Sequence, residues 1–241
     1  MPKKEIKEKA KTVKKTVSKK ELVSLEKLLE VGAHFGHQAR RWNPKMEEYL
    51  YGVQDGVSVF DLIKTKENLE AALTALKEAK KAGKSILLLG TKKQVQTKIR
   101  EIAEACGISY INQRFLGGTF TNFDQIKKSI RKLSEMKEKM KNGEYITYTK
   151  KEKLLISREI EDLEKKFSGI ANMTKLPDVI FIVDTHRENG AVREAIAMKI
   201  ESVGLVDSNA DPNLIDYPIP MNDDANKALD YVLDLVGAAL A

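Results

Sequence analysis

"DVIFIVD", residues 178–184, is an unbroken apolar run between two aspartates. Its length and its β-branched content predict a strand with no polar face, which must be covered on both sides. Around it, "SILLLG" (85–90), "ISYIN" (108–112), "VGLVD" (203–207) and "YPI" (217–219) read as further strands. The stretches between them have helical spacing. Leu69, Leu73, Leu76 and Ala79 share one face of a helix that stops at Gly83, and Val95, Ile99, Ile102 and Cys106 share a face of another. "NGAVREAIAMKI" (189–200) follows the central strand as a helix, and Leu229, Val232, Val236 and Leu240 line a last one. Upstream, "SLEKLLEVG" (24–32) is a short helix capped by Ser24, and "GVSVFDL" (56–62) is a short strand. Buried strands alternating with amphipathic helices predict an α/β domain with a flavodoxin-like or Rossmann-like parallel sheet, helices on both faces.

One connection is too long for a simple crossover. Between "ISYIN" and "DVIFIVD", Phe123, Ile126, Ile130, Leu133, Met136 and Met140 step by threes and fours. So do Ile156, Ile160, Leu163, Phe167 and Ile170, beyond a reversal at "KNGEY", and Thr149 and Glu152 have capping-box spacing. These residues predict an inserted antiparallel coiled-coil hairpin over 123–171, with the α/β domain formed by 21–122 and 172–241.

The charge is unevenly distributed. Residues 1–20 contain nine lysines and two glutamates, a net of +7, which is the net charge of the whole 241-residue chain. Lys3, Lys4, Lys7, Lys9, Lys11, Lys14, Lys15, Lys19 and Lys20 therefore predict a disordered basic extension able to neutralise phosphates. No apolar run is long enough for a membrane span or a signal peptide, and the lone Cys106 suits a reducing compartment, so a cytoplasmic location without membrane contact is expected.

Four chemistries compete for the remaining motifs. "GKS" at 83–85 is not a phosphate loop, because Glu78 stands where the leading glycine belongs and a strand follows. "LLLGTKKQVQ" (87–96) is better placed, at a strand end opening a helix where Lys92 and Lys93 could hold an anion. His34 and His37 lack a third zinc ligand, and "DSNADPNLIDYP" (207–218) has prolines where a calcium loop needs glycine and glutamate, so no metal or cofactor is expected. Asp184, Asp207, Asp211 and Asp216 would gather at the strands' C-terminal edge, where α/β enzymes bind substrates. No nucleophile motif accompanies them, and loop aspartates commonly brace turns, with Asp223 or Asp224 suited to cap the last helix.

Nucleic acid is the fourth. In "GAHFGHQARRWNPKM" (32–46), Arg40, Arg41, Trp42, Asn43 and Lys45 combine groups that grip a backbone and stack on a base, although Trp42 is equally suited to anchoring the loop in a core. "RFLGGTFTN" (114–122) adds Arg114, the close-approach glycines Gly117 and Gly118, and Thr119, Thr121 and Asn122 as hydrogen-bonding groups. With the basic extension, RNA is the leading partner.

Taken in order, "LLEVGAHFGHQARRWNPKMEEYLYG", "FDLIKT", "LLLGTKKQVQ", "QRFLGGTFTNF", "LPDVIFIVDTHRENGAVREA" and "GLVDSNADPNLIDYPIPMNDDA" resemble the bacterial small-subunit ribosomal protein S-two family, over about residues 22–226. The resemblance implies a parallel-sheet domain with a protruding helical hairpin, at the head–body junction of the small subunit. It also implies contacts with 16S rRNA and neighbouring ribosomal proteins, and help in recruiting the mRNA-binding ribosomal protein S-one where an organism has it. Phe115 stands where this family commonly has Trp, Ala210 where Cys is common, and residues 1–20 extend beyond its usual start. On this reading His34 and His37 fix their loop by ring hydrogen bonds while Arg40, Arg41 and Lys45 face phosphate or a neighbouring protein. The alternative is a stand-alone α/β enzyme or binding protein for a phosphorylated small molecule.

Deleting residues 1–20 is expected to weaken binding to small-subunit RNA and to make the slope of log affinity against log salt shallower, because fewer counterions are released. Filter binding across a salt series measures it; an unchanged slope contradicts the electrostatic role.

Overall fold

The computed structural model describes residues 23–241, so the basic extension lies outside the described residues. The chain runs α1 (Leu25–Glu30), β1 (Phe35–Gln38), β2 (Leu50–Gln54), β3 (Val57–Phe60), α2 (Leu62–Lys81), β4 (Ile86–Leu89), α3 (Gln96–Cys106) and β5 (Ser109–Ile111). It continues through α4 (Phe123–Lys141), α5 (Lys150–Phe167), β6 (Val179–Ile182), α6 (Asn189–Met198), β7 (Glu201–Val206), β8 (Tyr217–Pro220) and α7 (Asn226–Leu240).

Five strands form one parallel sheet in the order β5-β4-β6-β7-β8, which numbered along the chain is the flavodoxin-like order 2-1-3-4-5. In register, Leu87 lies beside Ile180 and Phe181 beside Val203. Strand periodicity divides the core between the two faces. Leu88 and Phe181 belong to the cluster formed with α2, α3 and α7, where Leu76, Ile99 and Leu229 are fully buried. Leu87, Leu89, Ile180 and Ile182 belong to the opposite cluster, which includes α6 and the bases of α4 and α5.

The long connection is two helices of 19 and 18 residues. Ile130 and Leu133 are buried with Ile160, and Lys132–Glu159 and Lys137–Glu164 ion pairs, each 2.5 Å, link the helices along their length. The Thr149 side chain and Glu152 form the capping box that starts α5. At its foot the pair merges with the sheet-face cluster through Phe123, Phe167 and Ile170. Gly169 is required there, since a Cβ would lie 2.1 Å from the Tyr110 carbonyl oxygen.

Two expectations from the sequence need correction. The Gly- and Pro-broken segment 32–46 contains strand β1, and with β2 and β3 it makes a second, three-stranded antiparallel sheet in the order β1-β3-β2. Asp55 and Gly56, both at positive φ, close the β2–β3 hairpin, the Asp-Gly signal for such a turn. The four aspartates also do not all share one edge. Asp216 precedes β8, so in a parallel sheet it sits at the N-terminal edge, where it accepts hydrogen bonds from the backbone N–H and hydroxyl of Ser202, each 2.8 Å.

Gly169→Ala is expected to destabilise the fold by about 1–3 kcal/mol or more, because the close neighbour is backbone and cannot yield as a flexible side chain would. Denaturant unfolding measures it; a midpoint like that of the parent would show that α5 can dock on β5 without this close approach.

Candidate functional site

The C-terminal edge of the parallel sheet collects the segments that carry the candidate residues. The loop after β4 carries Thr91, Lys92 and Lys93, the loop after β6 begins at Asp184, and the loop after β7 begins at Asp207. Asp223 and Asp224 follow β8. Segment 32–46 is laid across them. The His37 N–H donates to Ser208 Oγ at 2.8 Å and the Asn43 N–H to the Ser208 carbonyl at 2.7 Å. Gly36 permits this approach, because a Cβ there would meet Ser208 Oγ at 2.9 Å.

Lys92 is the centre of the edge. Its ammonium lies 3.1 Å from Asp184 and 2.8 Å from both Asp223 and Asp224, and it also donates to the Asp223 carbonyl at 2.7 Å. Burial works against its charge, yet these carboxylates hold its proton well above the usual lysine range. Expected to meet an external anion, Lys92 is engaged within the chain. Gly90 is likewise a packing residue, since a Cβ would meet Ile99 Cγ1 at 2.9 Å. Asp223 and Asp224 do not cap α7, whose N-cap is Ala225 without a side-chain bond. They bind Lys92 instead, while Asn222 Oδ1 accepts the N–H groups of Asp224 and Ala225.

His37 is the second cation of the cluster. Its Nδ1 is 3.1 Å from Asp207 and its Nε2 3.6 Å from Asp224. The hydrogen bond to Asp207 raises its pKa against the opposing effect of burial. Burial also acts on Asp207, but His37 and the N–H groups of Asp223 and Ser208 outweigh it and lower its pKa. Asp223 has the opposite fate: burial, then the charges of Asp207 and Asp184, push it up to about 7. Donor atoms of His37, Asp207 and Asp223 lie within 4.8 Å of one another, but their charge is balanced by Lys92 and His37 itself. His34 behaves differently from its expected role. Its ring lies 4.0 Å from that of Phe35, and its buried Nδ1 has no hydrogen-bond partner among the described residues.

The glycine-rich loop after β5 is also occupied internally. The N–H groups of Gly118, Phe120 and Thr121 and the Thr121 hydroxyl all donate to the carboxylate of Glu194, at 2.6 to 3.3 Å. Thr119 is buried, and its hydroxyl donates to the Leu116 carbonyl at 2.5 Å. Thr119 and Thr121 thus build the loop, and Gly118 sits at φ +87° within it. Glu194 is a residue that the sequence alone does not single out. Nothing in its helical context marks it, although the donor-rich GGTFT stretch signals an anion partner of some kind.

What remains outward is a smaller set. Arg40, Arg41, Trp42, Lys93, Arg114, Gly117 and Asn122 are exposed. Arg40 bonds Gln38 at 3.0 Å, and Lys45 pairs with Asp211 at 2.6 Å while remaining half exposed. Because β4 and β5 are parallel, Lys93 and Arg114 lie at the same edge as segment 32–46.

Stability is expected to fall as pH rises from about 4 to 8. The native state holds more protons than the unfolded chain at Asp223 and His37, so both favour folding at the acid side of that window and lose the contribution as they deprotonate. Asp223→Asn keeps an acceptor for Lys92 while removing the ionisation. Its stabilising effect should therefore be about 1–3 kcal/mol larger at pH 8 than at pH 5. Urea unfolding at the two pH values checks this; equal effects at both would contradict it.

The family model described as Ribosomal protein S2 matches residues 28–241. The Small ribosomal subunit protein uS2 of Coprothermobacter proteolyticus is 45% identical over 219 residues, covering 91% of this chain and 82% of that protein. Proteins of the same name from Sulfurimonas denitrificans and from a Nitratiruptor species are each 48% identical over 208 residues, covering 86% of this chain and 80% and 78% of theirs. A family match from residue 28 to the last residue, on a flavodoxin-like sheet whose ligand crevice is closed by its own side chains, establishes that the chain belongs to the ribosomal protein S2 family.

Proposed function

We propose that this protein is a structural constituent of the small ribosomal subunit, not an enzyme, and that it binds 16S rRNA near the head–body junction. Family membership supports the subunit role. The observation that carries the RNA reading is the exposed Arg40–Arg41–Trp42 turn, mounted on the sheet edge by the His37–Asp207 and Asn43–Ser208 contacts. Guanidinium groups and a part-exposed indole on a braced loop suit a phosphate backbone and an unpaired base. Lys93 and Arg114 widen the positive edge, and Lys45 contributes through its exposed half. The engaged residues Lys92, Thr119 and Thr121 hold these loops in place.

An enzyme of this fold would place its ligand in the crevice at the strand-order reversal, between β4 and β6. Here that crevice contains the Lys92–Asp184 ion pair and a hydrogen bond from Thr91 to Glu188. Among the described residues, no helix is long and apolar enough to cross a membrane. A cytoplasmic, ribosome-bound location and support for recruiting ribosomal protein S-one complete the proposal, and both rest on the family resemblance. The helix pair α4–α5 is proposed as an arm of this assembly, reaching beyond the sheet that anchors its foot.

Replacing Arg40 and Arg41 together with Glu is expected to weaken binding to small-subunit RNA and to lower the salt slope by about 1–2, one unit for each phosphate that is no longer neutralised. Both side chains are exposed, so the unfolding midpoint should not move. Unaltered RNA affinity and slope would remove this loop from the interface.

A further inference from the structure

The far end of the α4–α5 pair displays apolar surface that none of the described residues covers. Ile146 is 75% exposed, and Met140, Leu154 and Leu155 are each more than half exposed. Met140 and Ile146 border a cavity of about 200 Å3 that is also lined by Gly143, Tyr145, Lys153 and Ile156. This turn is well made. Gly143 at φ +74° reverses the chain, Glu144 N–H bonds the Lys139 carbonyl at 3.1 Å, and Ile146 N–H bonds the Gly143 carbonyl at 3.0 Å. Lys153 clamps the Ile146 carbonyl at 2.8 Å, and the Tyr145 and Tyr148 rings pack edge to face at 5.4 Å. The apolar side chains are therefore held at the surface by a built turn.

Their setting is positive. Residues 137–153 contain six lysines, three glutamates and no arginine. Lys137 is paired with Glu164, but Lys139, Lys141, Lys150 and Lys151 are exposed and make no ion pair among the described residues. A phosphate backbone would use the lysines and leave the apolar notch wet, and the arginines that dominate RNA contacts are missing. An acidic polypeptide with an apolar anchor would use both, filling the notch and pairing with its rim. We propose that the tip of this helix pair is a docking site for an acidic segment of a neighbouring protein, which inserts one large apolar side chain between Met140 and Ile146. The proposal rests on the reading of α4–α5 as an assembly arm.

The experiment uses the full-length protein with the photo-crosslinking residue benzoylphenylalanine in place of Thr147, reconstituted into small subunits, with the crosslinked site identified by mass spectrometry. Expected is a crosslink to a protein segment in which Asp and Glu outnumber Lys and Arg around an apolar residue. Its yield should fall about tenfold with Ile146→Asp, and again with Lys150→Glu and Lys151→Glu together. These positions are exposed, so thermal unfolding should be unchanged. A crosslink to RNA or to a basic protein segment, no crosslink, or a yield indifferent to the substitutions overturns the proposal. Replacing residues 134–162 by a short Gly-containing turn separates the two levels. If incorporation is then unimpaired, the arm reading itself fails; if incorporation is lost while the point substitutions have no effect, only the acidic partner is wrong.

Discussion

A single ammonium group, that of Lys92, lies within 3.1 Å of three carboxylates, and the geometry of the functional edge follows from it. Asp184 leaves β6, Asp223 and Asp224 leave β8, and Lys92 itself leaves β4, so one cation joins the ends of three strands. Like charges at this spacing would repel without it, and a buried ammonium without them would be several kcal/mol out of balance. His37 repeats the device one step outward, placing its ring between Asp207 and Asp224 and so carrying β1 onto the edge of the larger sheet. The small antiparallel sheet owes its position to this attachment as much as to the apolar contacts of Phe60 in β3 and of Met46 in the β1–β2 connection, both buried.

The same economy of charge is visible after β5. A loop that offers three backbone N–H groups and a hydroxyl to one anion receives Glu194 from α6, so the anion site is satisfied from within. Flavodoxin-like sheets bind small ligands where strand order reverses, and here that place holds side chains of the protein itself. What this edge leaves exposed is Arg40, Arg41, Trp42, Lys93 and Arg114, the residues to which the proposed RNA contact is assigned. Such a surface suits an extended polyanion better than a small substrate, which would need enclosure.

The α4–α5 pair obeys a different constraint. Its foot shares the sheet-face core through Phe123 and Phe167, whereas farther out burial narrows to a line of contacts such as Leu133 and Ile160, bordered by the Lys132–Glu159 and Lys137–Glu164 pairs. Two helices alone bury only the stripe between them, so their outer faces are charged, and the apolar surface at the turn stands apart from that rule.

Burial and its period are legible in the residues. The unbroken run at 178–184 announces a strand covered on both faces, the three-and-four spacing from Phe123 and from Ile156 announces two long helices, and Thr149 with Glu152 announces the start of the second. Each follows from local geometry, since side chains on one face recur every 2 residues in a strand and about every 3.6 in a helix. The short strands β1 and β2 escape such a reading because their residues are mostly exposed and show little alternation, which leaves the Asp55–Gly56 turn as their one local signal. Candidate side chains are recognisable by type, but not whether they are free. That Lys92 is consumed by Asp184, Asp223 and Asp224, that Thr121 serves Glu194, and that Asp216 falls on the opposite edge depend on partners separated by 14 to 132 positions. Local periodicity is a property of the chain, whereas which charge meets which is decided by strand order, and strand order exists only once the sheet has formed.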